Sequence, residues 1–187
     1  VMRRARLVVV YDGASFHGFA ESGDAVPTVA ALLRQTIERV VGRPVEIVGA
    51  GRTDTGVHAW GQAVSLDLPD DADLANLGHR INRMCGPRLV VRAAEWASAA
   101  DFSARFDAQW RHYRYTVLDS PVAVPFLAAT AWHVPNPLNL WAMQLACDPL
   151  IGEHDFSSFC RRPKDKPDAS MVRNVLHAEW RSVDSDF

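Results

Sequence analysis

The residues of this 187-residue chain whose types and spacing could do chemistry are concentrated in Gly49-Ala50-Gly51-Arg52-Thr53-Asp54-Thr55-Gly56-Val57-His58-Ala59. Gly49, Gly51 and Gly56 permit unusual backbone angles and close approach of a ligand to the main chain. Two phosphate-binding patterns can be tested here. A dinucleotide fingerprint, G-x-G-x-x-G, needs glycine where Asp54 stands, and a carboxylate at that point repels a pyrophosphate. A Walker loop needs Gly-Lys-Ser/Thr, but the first lysine of the chain is Lys164. What remains is one acid, Asp54, two residues after a fixed cation, Arg52. A guanidinium nearby favours the ionised aspartate, and a carboxylate presented by a turn can serve as a covalent nucleophile. The alternative is an aspartate that closes its own turn by accepting backbone N–H bonds, with Arg52 as its surface partner. Spacing leaves both open. Metal binding through Asp54 and His58 lacks further ligands nearby. A glycosidase-like pair would need Asp12, Asp107 or Asp155 beside Asp54, and nothing selects one of them. His154, Asp155 and Ser157 have the residue types of a catalytic triad. They are too close in sequence for the histidine to sit between the other two, so a turn with Phe156 and Phe159 packed inward is expected instead.

The elements that must position this loop alternate in type. Leu7 to Tyr11 is a β-rich run stopped by Asp12-Gly13. Thr28 caps a helix carrying Val29, Leu33, Ile37, Val40 and Val41, which Gly42 and Pro44 end. Val45 to Val48 reads as a short strand entering the loop, and Val64, Leu66 and Leu68 have the period of a half-buried strand leaving it. A second helix runs from an Asp73 cap through Leu74, Leu77 and Ile81 to Gly86-Pro87, before a strand at Leu89-Val90-Val91. The order is β-α-β-β-α-β, that of a split βαβ arrangement. Beyond it, Trp110 to Leu118 reads as a strand with Arg111, Tyr113 and Tyr115 on one face. Asn139 caps a helix with Leu140, Met143, Cys147, Leu150 and Ile151 on one stripe, and Pro149 ends it near Asp148. Val172 to Trp180 alternates again, and Arg161 to Ser170 reads as a mobile loop.

Composition bounds the partners. The chain is 48% apolar with 20 Lys+Arg against 22 Asp+Glu, a net charge of -2. That is foldable material with no whole-chain attraction to nucleic acid. The charge is nevertheless blocked. Arg80, Arg83, Arg88 and Arg92 stand in a run without acid, and Arg161-Arg162-Pro163-Lys164-Asp165-Lys166 is basic, while Asp67, Asp70, Asp71 and Asp73 collect acid. Only local potential acts within a Debye length of about 8 Å. No apolar run approaches the roughly 20 residues of a membrane span, and no signal peptide is recognisable, so a soluble cytoplasmic protein is expected. Cys85, Cys147 and Cys160 match neither a zinc spacing nor a disulfide framework, and are expected to be reduced and mostly buried.

The string from Ala50 to Ala59, followed by Gly61-Gln62, resembles the signature of the tRNA pseudouridine synthase A family. Further stretches follow in the family's order: Tyr11-Asp12-Gly13-Ala14-Ser15-Phe16 with Gly18, Arg80-Ile81-Asn82, Phe102 to Ala108, Arg111-His112-Tyr113-Arg114-Tyr115, Gly152 to Phe159, and Val172-Arg173-Asn174-Val175. The resemblance implies that Asp54 is the nucleophile, that Arg52 helps to open the site or flip the base, and that Tyr113 stacks on or beside the target uracil. It further implies isomerisation of uridine to pseudouridine at positions 38–40 of the tRNA anticodon stem-loop by a homodimer, with no cofactor and no metal. The fold implied is α+β, with two ferredoxin-like (RRM-like) lobes carrying antiparallel sheets and flanking a central basic active-site cleft. The first lobe covers residues 1–100 and the second 101–187. The chain departs from the pattern after Gly18, where Phe19-Ala20-Glu21-Ser22-Gly23-Asp24 replaces a tryptophan and a glutamine-rich stretch. Family members also continue past the 172–180 strand. The second lobe is therefore expected to be incomplete, without an arginine that pairs with the aspartate. A non-catalytic tRNA-binding module of the same fold is the principal alternative, and a nucleoside or glycoside hydrolase using Asp54 is another.

Overall fold

Ten residues of strand, Met2–Tyr11 (β1), form the spine of the first of two units into which the chain divides, Val1–Tyr113 and Arg114–Phe187. The structure, a computed structural model, describes residues 1–21, 26–160 and 168–183. After β1 come Val29–Val41 (α1), Ile47–Gly49 (β2), Ala59–Pro69 (β3), Leu74–Cys85 (α2) and Leu89–Trp96 (β4). The four strands make one antiparallel sheet in the order β2-β3-β1-β4. The protein is α+β, and the β-α-β-β-α-β order read from the sequence is the order found.

Local chemistry accounts for these elements. Thr28 Oγ1 accepts from Ala31 N at 3.3 Å to open α1, and Gly42 closes it in the left-handed region at φ 72°, a conformation that favours glycine. Asp73 opens α2 by accepting from Asn76 N at 3.0 Å. Each helix lays one stripe on the sheet: Val29, Leu33 and Ile37 from α1, and Leu74, Leu77, Ile81 and Cys85 from α2. Strand alternation supplies the facing layer, with Ala5, Leu7, Val9 and Tyr11 from β1 and Val64, Leu66 and Leu68 from β3.

The other face of the sheet carries ion pairs, Arg4 with Asp67 at 2.8 Å and Arg6 with Glu95 at 2.5 Å. Ser65 on that face is fully buried because the chain after β4 folds back over it: Ala104 N donates to Ser65 Oγ at 3.1 Å. Strand β4 lies at an edge of the sheet, and the Asn82 amide covers part of that edge. Its Nδ2 donates to Val91 O at 3.0 Å, and its Oδ1 accepts from Val91 N at 2.6 Å. A side chain thereby takes the place of a neighbouring strand, which blunts the edge.

Residues 114–187 are built differently. Val117–Asp119 (β5) pairs in parallel with Trp132–Val134 (β6), and Gly152–Asp155 (β7) pairs antiparallel with Val172–Val175 (β8). Leu140–Cys147 (α3) is opened as expected by Asn139, which accepts from Ala142 N at 2.9 Å, and Asp148–Leu150 follows as a 3-10 turn around Pro149. Met171 is the only buried hydrophobic residue among the described residues of this unit, and Trp132, Trp141 and Phe159 are exposed.

Several expectations are corrected here. The strand read over Trp110 to Leu118 reduces to Val117–Asp119. Residues 111–116 are exposed at every position, so the alternation of Arg111, Tyr113 and Tyr115 has no buried face to stabilise a strand. The strand at Val172 ends at Val175. The α3 stripe is not buried, and Phe159 is exposed rather than packed inward. All three cysteines are free, yet only Cys85 is buried, Cys147 being intermediate and Cys160 exposed.

Candidate active site

The loop from Ala50 to His58 joins β2 to β3 and is held from one side by the segment that follows β1. The Tyr11 hydroxyl lies 2.8 Å from Thr53 Oγ1, and Phe19 N donates to Thr53 O at 2.9 Å. Gly56 N donates to Phe16 O at 3.4 Å, and Gly13 N donates to His58 Nδ1 at 3.2 Å. Asp12 Oδ1 sits 3.0 Å from the same imidazole nitrogen and accepts from Ala14 N at 3.0 Å. Each such bond is worth about 1 kcal/mol net, whereas burying an aromatic ring is worth about 1.5–3 kcal/mol. The rings of Tyr11, Phe16 and Phe19 are buried in the core and anchor the segment after β1, and the hydrogen bonds tie the loop to that segment. Phe16 meets Tyr11 edge-on at 6.5 Å, and Phe19 lies tilted at 6.3 Å.

The backbones come so close that only glycine serves at two points. A Cβ at Gly13 would lie 2.0 Å from the Val57 carbonyl oxygen. At Gly18, where φ is 86°, one would lie 2.7 Å from Thr53 O. The far side of the loop is tied to Ala50 and Gly51. Ala50 N donates to Ala63 O at 2.9 Å, and Gln62 Nε2 donates to Gly51 O. The Arg111 guanidinium donates twice to Ala50 O, at 2.6 and 3.2 Å.

Thr53 is thus tied through both its side chain and its carbonyl, while its neighbours Arg52 and Asp54 are exposed. Neither side chain has a hydrogen bond or ion pair among the described residues. The turn is closed by the main chain, Val57 N donating to Asp54 O at 3.2 Å, and not by the Asp54 carboxylate. The carboxylate therefore does not close its own turn, as one of the two sequence readings had it. The acids considered as its partners are engaged elsewhere: Asp12 as above, Asp107 with Ser103 N at 2.7 Å, and Asp155 with Ser157 Oγ at 2.5 Å. His154 contacts Ile151 O at 3.0 Å, so it does not lie between Asp155 and Ser157 as a triad would require.

The match to the tRNA pseudouridine synthase family model spans residues 7–107 and 146–186, more than half of the chain. The chain belongs to this family. Proteins named tRNA pseudouridine synthase A in Corynebacterium glutamicum, Brevibacillus brevis and Gluconobacter oxydans are 38%, 41% and 36% identical to it, over 98%, 85% and 84% of this chain respectively. The alignments cover 66%, 64% and 58% of those relatives, so the chain spans about three fifths to two thirds of their length.

In this family member Tyr113 lies within the stretch 108–145 that the family model skips. It is 67% exposed, two residues after Arg111, which fastens the chain at Ala50. Arg80, Arg83, Arg88 and Arg92, on and beside α2 and β4, are exposed and unpaired among the described residues. The basic block Arg161 to Lys166 lies outside the described residues. After Phe19, Glu21 receives both Arg34 Nε at 2.7 Å and Nη2 at 2.9 Å. Arg34 holds the Glu21 carboxyl below its usual pKa range and is itself raised by the same bonds.

Sequence reasoning missed the roles of Tyr11, Gly13 and Thr53, although Tyr11-Asp12-Gly13 is part of the resemblance. Burial raises the Tyr11 pKa, against a smaller opposing effect of the Thr53 hydrogen bond, so the phenol stays neutral throughout the physiological range. Because the folded value lies above the unfolded one, this group's contribution is fully present below about pH 10. It is lost as pH rises through the folded value. Tyr11→Phe is expected to lower kcat several-fold at nearly unchanged KM, to cost about 1 kcal/mol of stability, and to flatten the alkaline limb of a Tm-against-pH curve. A variant with wild-type kcat would show that the hydroxyl does not position the loop.

Proposed function

We propose that the chain isomerises uridine to pseudouridine in tRNA, with Asp54 as nucleophile, Arg52 assisting entry of the flipped nucleotide and Tyr113 stacking on or beside the uracil. The observation that carries this reading is the presentation of Asp54. The loop clamps Thr53 on two sides and leaves the carboxylate exposed and unengaged, as an attacking group must be. In this reaction the bond from ribose C1′ to uracil N1 breaks, the base turns, and a bond from C1′ to C5 forms. N1 gains a proton and C5 loses one, so substrate and product are isomers. Unstacking the target base costs a few kcal/mol, which aromatic and arginine contacts must offset. The exposed arginines Arg80, Arg83, Arg88 and Arg92, without an ion pair among the described residues, suit a phosphate track that recognises RNA shape, with affinity falling as salt rises.

The names of the relatives support tRNA as substrate. The anticodon stem-loop, positions 38–40, a homodimer and a cytoplasmic location complete the reading. Among the described residues no helix is long and apolar enough to cross a membrane, and no group of three or more His, Cys, Asp or Glu is placed to hold a metal ion. We read residues 1–100 as a ferredoxin-like lobe, supported by the sheet order β2-β3-β1-β4, and residues 101–187 as a second α/β lobe.

Incubation with unmodified tRNA carrying labelled uridine tests the proposal. Pseudouridine is the expected product. Release of free uracil would indicate a hydrolase, and binding without product would indicate a tRNA-binding module; either result overturns the assignment.

A further inference from the structure

We propose that the indole of Trp60 is a stacking platform for an unpaired RNA base flanking the target uridine, an inference that rests on the function proposed above. Trp60 is 75% exposed although it lies inside strand β3. The cause is a bulge. Val8 pairs with Ala63 and Val9 with Gln62, but Tyr11 pairs with Ala59, so Trp60 and Gly61 together oppose Val10. Gly61 has the outward parity of Ala63, and a Cβ built there would meet Val8 Cγ1 at 3.7 Å. In an uninterrupted strand the next residue, Trp60, would turn toward the helices. The extra residue lets both point away from the helices, and a bulge beside a functional loop commonly re-aims a side chain in this way.

The bulge places the indole at a defined point relative to the nucleophile loop. Trp60 is two residues past His58, whose Nδ1 lies 3.2 Å from Gly13 N and 3.0 Å from Asp12 Oδ1, and it follows Ala59, the β3 residue opposite Tyr11. On the other side of β1, Tyr11 pairs with Leu89, and Asp12 N donates to Arg88 O at 2.9 Å. Trp60 and Arg88 therefore flank the same end of β1, on strands about 10 Å apart at two inter-strand spacings. Arg88 is exposed and has no ion pair among the described residues, as are Arg52 and Arg92. The acids on the helix-free face, Asp67 and Glu95, are taken by Arg4 and Arg6. An exposed aromatic ring on a sheet, with unpaired arginines at the same end, is the combination that stacks a splayed base and neutralises its phosphate. A hydrophobic protein partner would not call for those cations.

The test is equilibrium binding of an unmodified tRNA anticodon stem-loop to the full chain across a salt series. Trp60→Ala is expected to raise Kd about 5- to 150-fold with an unchanged salt slope, and Trp60→Phe to retain most of the affinity. Arg88→Gln is expected to reduce the salt slope by about one contact. An abasic nucleotide beside the target uridine should weaken binding to the wild type and add little to Trp60→Ala. Equal affinity of Trp60→Ala and wild type overturns the stacking role. If wild type forms pseudouridine and that equality holds, only this inference falls; if wild type binds no tRNA, the proposed function falls with it.

Discussion

Replacing Asp54 by alanine is expected to reduce pseudouridine formation by about ten-thousandfold or more, the scale of losing a covalent nucleophile, while tRNA affinity changes only a few-fold. The side chain supports this separation. It is exposed, it makes no hydrogen bond or ion pair among the described residues, and the turn around it is closed by Val57 N and the Asp54 carbonyl. Removing the carboxylate leaves every one of those contacts in place, so Tm should move by no more than a surface substitution allows, about 0.5 kcal/mol of stability. Asp54→Asn should be as inactive, because it keeps the size and shape of the side chain but not the nucleophilic carboxylate. Equal product from wild type and Asp54→Ala in the labelled-tRNA assay would remove Asp54 from the mechanism. A collapse of Tm instead would mean that the carboxylate is structural.

Gly13→Ala is expected to have the largest effect on folding of any glycine-to-alanine change in the first unit. The new Cβ would lie 2.0 Å from Val57 O, 2.3 Å from Val57 C and 2.8 Å from Gly56 C. All three are backbone atoms, so no side chain can rotate to relieve the overlap. One of the two segments must move, breaking the bond from Gly13 N to His58 Nδ1 and loosening the loop that carries Asp54. Overpacking of this kind costs about 1–3 kcal/mol, enough to lower Tm by several degrees, and thermal unfolding followed by circular dichroism would measure it. Activity should fall with it, because displacement of a reacting group by an ångström costs on the order of a hundredfold. Wild-type Tm and activity in this variant would show that the approach of the two loops is not required. Gly42→Ala, at a helix end with nothing within 4 Å of its Cβ position, supplies the contrast of a glycine kept for its φ alone.

What sequence reading could recover follows how local each signal was. The caps Thr28, Asp73 and Asn139, the buried stripes of α1 and α2, the β-rich run that ends β1 and the alternation of β3 depend on residues a few positions apart, and the structure has them where the sequence indicated. Trp110 to Leu118 failed because a strand also needs a partner and a buried face, and residues 111–116 have no buried position. Phe159 and the α3 stripe failed similarly: an apolar pattern states which side chains would be buried together, not whether anything covers them. The net charge also hid local balance, since the acids Asp67 and Glu95 pair with Arg4 and Arg6 while Arg80, Arg83, Arg88 and Arg92 have no ion pair among the described residues.

The residue string from Ala50 to Ala59 with Gly61-Gln62 identified the family by itself, and it singled out Asp54 and Arg52, because reactive groups and the glycines that present them are contiguous in the chain. Which way those groups face was a tertiary matter. Tyr11 and Thr53 are 42 residues apart, and Gly13 and His58 are 45 apart; their meeting depends on the register of β1 against β3, where a one-residue slip would reverse every side chain. The bulge opposite Val10 belongs to that same register, and it turns Trp60 out of the sheet. Local spacing could supply the chemistry of the loop, but only the pairing of distant strands could decide which residues it holds inward and which it offers to a substrate.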